Sequence, residues 1–142
     1  MNKSIQNKIN TLLELKLSKG VQPSDLSQAI FEKEYFSTHI DKHDNGVILK
    51  LSYSDELKND KKQIITMNYH YSLDGILQEI HESVGNQTMS IQWSRKSRYK
   101  SLVLEITLEM MTCGMESKIS AFLQTLPEEI RSTISDSALK AA

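Results

Sequence analysis

Two hydrophobic periods alternate along this chain in a definite order, and that order limits its fold more than any single motif does. Ile5, Ile9, Leu12, Leu13 and Leu17 follow the i, i+4, i+7, i+8 spacing of one helical face. Gly20 stands where that helix is expected to stop. Pro23, Ser24 and Asp25 open a shorter helical piece over 26–33, with Leu26, Ala29 and Ile30 as its apolar residues. The period then changes. Residues 35–40 permit an edge strand. Val47, Leu49, Leu51 and Tyr53 alternate with Ile48, Lys50 and Ser52. Ile65, Met67, Tyr69 and Tyr71 alternate in the same way with Thr66, Asn68 and His70. The turn over 41–46 ends in Asn45 and Gly46, a pair that readily supplies positive φ. A charged loop over 55–62 separates the two alternating runs.

The second half repeats the change of period. Leu73, Ile76, Leu77, Ile80 and Val84 form a helical stripe, with Ser72 as N-cap, Asp74 in the first turn and Gly85 at the end. Met89, Ile91 and Trp93 alternate with Ser90, Gln92 and Ser94 as a fourth strand. Residues 94–101 read as a basic turn. Leu102, Leu104, Ile106 and Leu108 then alternate with Val103, Glu105, Thr107 and Glu109 as a fifth strand. Met115, Ile119, Phe122, Leu123 and Leu126 make a closing helix, which Pro127 kinks or restarts. The expected fold is α+β: a single mixed or antiparallel sheet of about five strands packed by N-terminal, middle and C-terminal helices. The expected order is α-β-β-β-α-β-β-α.

Composition fits that expectation. The chain has 142 residues, 39% hydrophobic and 25% charged, which is the balance of a globular domain with its own core. Residues 1–142 are read as one α+β domain whose tail, 135–142, frays. Formal net charge is −1, so no overall field draws in nucleic acid or an anionic membrane. The one cysteine, Cys113, cannot form an internal disulfide, which suits a reducing compartment. Lys3, Lys8, Glu14 and Lys16 interrupt the apolar residues of 1–17, unlike the unbroken stretch of a secretory signal. No run reaches the roughly 18 apolar residues of a membrane span. The expectation is a cytoplasmic protein, bacterial in style.

Catalytic constellations are missing from the sequence. Serine is abundant, but there is no Gly-x-Ser-x-Gly elbow, and the five glycines form no phosphate-cradling loop. Cys113 lies among Met110, Met111 and Met115 without a basic neighbour, and reads as a small hydrophobe. His39 and His43 are four apart, beside Asp41 and Asp44. That spacing serves a metal on a helix and here falls on a strand end and a turn. His70 and His81 read as surface or partly satisfied core positions. No catalytic residue, metal ligand or cofactor is assigned, and the chain is read as a non-enzyme.

Two features favour binding. Arg95, Lys96, Arg98 and Lys100, flanked by Trp93 and Tyr99, carry groups that hold phosphate and stack on bases. As a solvated turn the same cluster would blunt a sheet edge. It makes a nucleic-acid-binding accessory or regulatory protein the alternative reading. Met110, Met111 and Met115 cluster where the last strand is expected to meet the last helix. Flexible thioethers suit adaptable binding surfaces and core gaps alike.

The order of elements resembles the layout of the small dimeric chaperones of type III secretion systems, the class that serves one or a few effectors. The segments that carry the resemblance are the helix over 5–17, the strands over 47–53 and 64–71, and the helix over 73–84. The hairpin over 89–110 and the closing helix over 115–126 complete it. The likeness is one of topology, without a signature motif. It implies a homodimer joined through the helix over 73–84 and the neighbouring strand. It also implies an apolar surface that binds an extended, non-globular segment of a partner protein, such as a secreted effector. Ile76, Ile80, Trp93, Met110, Met111 and Met115 are the expected partner-binding residues. A phage- or plasmid-type inhibitor or immunity protein would share these features.

Overall fold

The structure, a computed structural model, describes residues 2–56 and 62–132. The elements are α1 (Lys3–Leu17), α2 (Pro23–Ser27), a 3-10 turn (Gln28–Phe31), β1 (Tyr35–His43), β2 (Gly46–Glu56), β3 (Lys62–Tyr71), β4 (Leu77–Val84), β5 (Ser90–Ser94), α3 (Arg95–Thr112) and α4 (Glu116–Gln124). They fall into two compact units. One is Ser18–Arg95, and the other combines Met1–Leu17 with Lys96–Ala142. The tail expected to fray, 135–142, and the middle of the charged loop lie outside the described residues.

Ser18–Arg95 is the sheet unit. Its strands form one antiparallel sheet in the order β1-β2-β3-β4-β5. The α+β class and the five-stranded sheet expected from the periodicities are both present. The order of elements differs, because residues 73–84 form a turn and β4 where a middle helix was expected. Gly75 takes φ +83 there. The Ser72 N–H donates to the Ile76 carbonyl at 2.9 Å, and the Gly75 N–H donates to Ser72 at 3.0 Å. The chain then returns along β3, with Ile80 opposite Tyr69 and Leu77 opposite Tyr71. Cross-strand packing of aromatic against branched side chains outweighs a short helical stripe.

The β1–β2 turn is made by Asp44 and Asn45, and Gly46 is already in β2, paired with His43. Gly46 is needed for closeness rather than for positive φ. A Cβ there would lie 2.3 Å from the Tyr71 carbonyl oxygen. Leu49, Leu51, Tyr71 and Leu77 form the buried centre of this unit, with Leu26, Ala29, Tyr35, Val47, Tyr69, Ile80 and Trp93 around them. Polar ties hold residues 19–22 against the start of β4. The Leu77 N–H donates to Lys19 O at 2.8 Å. The Tyr71 hydroxyl donates to Val21 O at 2.7 Å, and Gln22 Nε2 donates to Gly75 O at 3.1 Å.

The helical unit gathers Ile5, Leu12, Tyr99, Leu102, Val103, Ile106, Met110 and Leu126 into one core. Residues 102–109 were expected as a strand and 94–101 as a basic turn. Ser94 ends β5, and everything from Arg95 onward is α3. The buried residues of α3 are Tyr99, Leu102, Val103, Ile106, Thr107 and Met110, the spacing of one helical face. Leu108, which the strand pattern would place beside Ile106, is 42% exposed. Neither Gly nor Pro occurs between Ser94 and Cys113 to stop the helix. Thr107 is tolerated inside because its hydroxyl donates to the Val103 carbonyl at 2.8 Å. Lys8 and Glu109 form an ion pair of 2.6 Å between α1 and α3. The expected closing helix is α4. After it, the Pro127 carbonyl accepts from Ile130 and Arg131, so the chain restarts as a helical turn.

Candidate functional site

Register decides which side chains share a face of an antiparallel sheet. Leu49, Leu51, Met67, Tyr69, Tyr71, Ile80 and Trp93 lie on one face, which carries the core. The opposite face presents Ile48, Lys50 and Ser52 from β2, Thr66, Asn68 and His70 from β3, and Glu79, His81 and Ser83 from β4. β1 adds His39, Asp41 and His43 to that side. All four histidines of the chain therefore share one polar sheet face.

A cleft of 360 Å³ opens at the turn end of this face, lined by His43, Asn45, Ile48, His70, Ser72, Gln78 and Glu79 among others. The His70 and His81 rings stack with centroids 4.3 Å apart and planes inclined by 31°. His81 Nε2 is 2.6 Å from Glu79 Oε2. The Ser52 and Thr66 hydroxyls are 3.2 Å apart and share a hydrogen bond. Asn68 Oδ1 and His70 Nε2, two residues apart on β3, are buried without a hydrogen-bond partner. Burial first, and then the charge of His81, hold the His70 imidazole below the usual histidine range, against an opposite pull from Glu79.

Among the described residues no three His, Cys, Asp or Glu side chains converge to hold a metal ion. His39 and His43 lie on an extended strand, roughly 13 Å apart along it, too far to share one ion. Cys113 is exposed and accepts from Asn2 Nδ2 at 3.4 Å. Also among the described residues, no helix is long and apolar enough to cross a membrane.

The polar face ends at β1, whose outer edge is open: β1 pairs with β2 and, among the described residues, with no other strand. It is nine residues long. The register shifts between Tyr35 and Ser37, which sets Phe36 out of the ladder. Phe36 and Ile40 are 56% and 54% exposed. The other edge strand, β5, has five residues, and its ladder with β4 shifts between Ile80 and His81.

The expected partner-binding residues are divided between the two units, Ile76, Ile80 and Trp93 in the sheet unit and Met110, Met111 and Met115 in the helical unit. Ile80 and Trp93 pack around the sheet core, and Ile76 is half-buried in the turn before β4. Met110 is a core residue of the helical unit, 3% exposed. Met115 packs against that core, and Met111 is half-buried on α3. The basic quartet is divided as well. Arg95 Nε donates to Leu77 O at 2.7 Å, and its guanidinium lies 5.5 Å from the Trp93 ring centre. Lys96 and Lys100 are one helical turn apart and share a flank of α3, whereas Arg98, two residues from each, projects from the other side. Residues that a turn would have clustered are spread around a helix.

Sequence reasoning missed the histidine face because it placed His81 on a helix. The dipeptide Asp74 and Gly75, between two apolar runs, is the signal that would have revealed a hairpin there. No family model matches the chain, and no curated protein or solved structure matches it.

Proposed function

We propose that this chain is a non-enzymatic protein-binding module that takes up an extended segment of a partner protein as an added strand on β1. The observation that carries this reading is the open nine-residue edge of β1 with Phe36 and Ile40 exposed beside it. An edge of that length offers a row of backbone donors and acceptors to a disordered segment, and the flanking apolar side chains supply selectivity. β5 is a poorer template, being short and irregular. Capture of an unfolded segment is what a cytoplasmic secretion chaperone does, the role expected from the order of elements, although the helix over 73–84 and the hairpin over 89–110 that helped carry that expectation are a turn with β4, and β5 with α3. The homodimer it implies would have to form without a helix over 73–84, since those residues are a turn and β4.

The test is selection of binding peptides from a random display library, followed by amide exchange on the complex. Bound peptides are expected to slow exchange along β1. Methylating alternate peptide amides should abolish binding in one register and spare it in the other, because a strand uses every second amide toward its neighbour. Protection confined to other elements, or binding indifferent to amide methylation, would remove strand addition as the mode.

A further inference from the structure

His70 and His81 stand diagonally across the β3–β4 ladder: Glu79 is the register partner of His70, and Asn68 that of His81. The rings stack at 4.3 Å, yet their surroundings are unequal. His81 has a carboxylate at 2.6 Å, whereas His70 Nε2 is buried and has no hydrogen-bond partner. A single carboxylate therefore serves two imidazoles. On the β2 side, His70 is opposite Ile48, and Lys50 is opposite Asn68. His43 lines the same cleft, and His39 and Asp41 occupy the same face on β1. On the β5 side, Ser94 is opposite Glu79 and Ile91 opposite His81, so no charge comes from there. Among the described residues, Asp41 and, at the far end of β2, Glu56 are the further acids on the face, against Lys50, Lys62 and two more imidazoles, His39 and His43.

We propose that the His70–His81 pair is a proton-operated joint in the β3–β4 ladder. A proton on His81 has the Glu79 carboxylate beside it at 2.6 Å. A proton on His70 faces the other ring across the stack and has no carboxylate of its own. That charge is relieved when the strands separate and water reaches the ring. Mild acid therefore opens the polar face between β3 and β4 while the apolar side of the sheet still holds. A histidine held below its ordinary value of 6.5 binds fewer protons folded than unfolded, so the stability tied to it is complete above that value. It is lost as pH falls through the lower value of the folded state.

Ring-resonance titration of the intact chain by NMR tests this directly. His70 should titrate below the ordinary histidine range in the wild type and move upward in His81→Gln. Amide exchange at β3 and β4 should accelerate several-fold between about pH 7.5 and about pH 5, beyond the intrinsic pH effect, and His70→Gln should suppress most of that acceleration. An ordinary titration of His70 in the wild type, which requires no variant to fold, overturns the proposal. So does an acid acceleration of the same size in the wild type and in both variants.

Discussion

The helical unit is closed by a core cluster of eight buried residues drawn from α1, α3 and the segment after α4, whereas the core cluster of the sheet unit has four and the unit is fastened largely through backbone carbonyls. Lys19, Val21, Gly75 and Leu77 each accept a hydrogen bond that pins the chain near the start of β4. A face of interdigitated aliphatic side chains loses stability in proportion to the volume removed, since its neighbours relax part of the way. A clamp built on carbonyl oxygens depends on where the backbone lies. Small steric or hydrogen-bonding changes there act on placement first and on buried area second.

This contrast can be broken at three depths. The largest effect is expected in the helical core. Ile106 is fully buried, and Ile106→Ala should lower unfolding stability by about 3–4 kcal/mol, with Ile106→Val costing about 1 kcal/mol. Urea unfolding of the two variants checks the grading, and equal losses would mean that this core is not volume-limited. Next is Gly46→Ala. The added methyl meets a backbone oxygen at 2.3 Å and cannot be relieved by a rotamer change, so a loss of about 2–3 kcal/mol is expected for the addition of one carbon. Unchanged stability would show that β2 and β3 can slide apart there at no cost.

The smallest change is Tyr71→Phe, which removes only the hydroxyl that donates to Val21 O and should cost about 1 kcal/mol. Burial pushes this phenol up to about 12. A phenol raised in the folded state contributes stability below its unfolded value, near 10, and that contribution fades as pH rises through 12. Ultraviolet titration should therefore lose its latest-ionising step in Tyr71→Phe, while Tyr53, Tyr69 and Tyr99, which burial also raises, still ionise late.

How much of this was legible in the sequence follows from the lengths of the patterns. The stripe at Ile5, Ile9 and Leu12 was long enough to specify α1, and the alternations over 47–53 and 65–71 specified β2 and β3. Residues 73–84 and 102–109 each fit both periods. At the first, Leu73, Ile76, Leu77 and Ile80 mimic a helical stripe, yet Leu73 is 57% exposed and belongs to the turn. At the second, four alternating aliphatics mimic a strand, while the buried set includes Tyr99, Val103 and Thr107, which that strand would have left out. Turn chemistry at Asp74 and Gly75, and its absence from 95 to 112, settles both cases. The candidate site was hidden for the same reason. A shared face exists only once register is fixed, and no spacing rule links His39, His43, His70 and His81 along the chain.

Each strand of the sheet pairs with its neighbour in sequence, but the helical core joins the two ends of the chain. During synthesis these arrangements mature at different times. Hairpins can close as soon as their second strand has left the ribosome, since the contacts are local. α1 emerges before the sheet and completes its core after it. Ile5 and Leu12 must wait for Leu102, Ile106 and Met110, a delay on the order of ten seconds at ordinary elongation rates. For that interval the nascent chain carries a helix-forming segment with its apolar side unsheltered. The N-terminal helix is thus the part of this protein most in need of protection before the protein is complete.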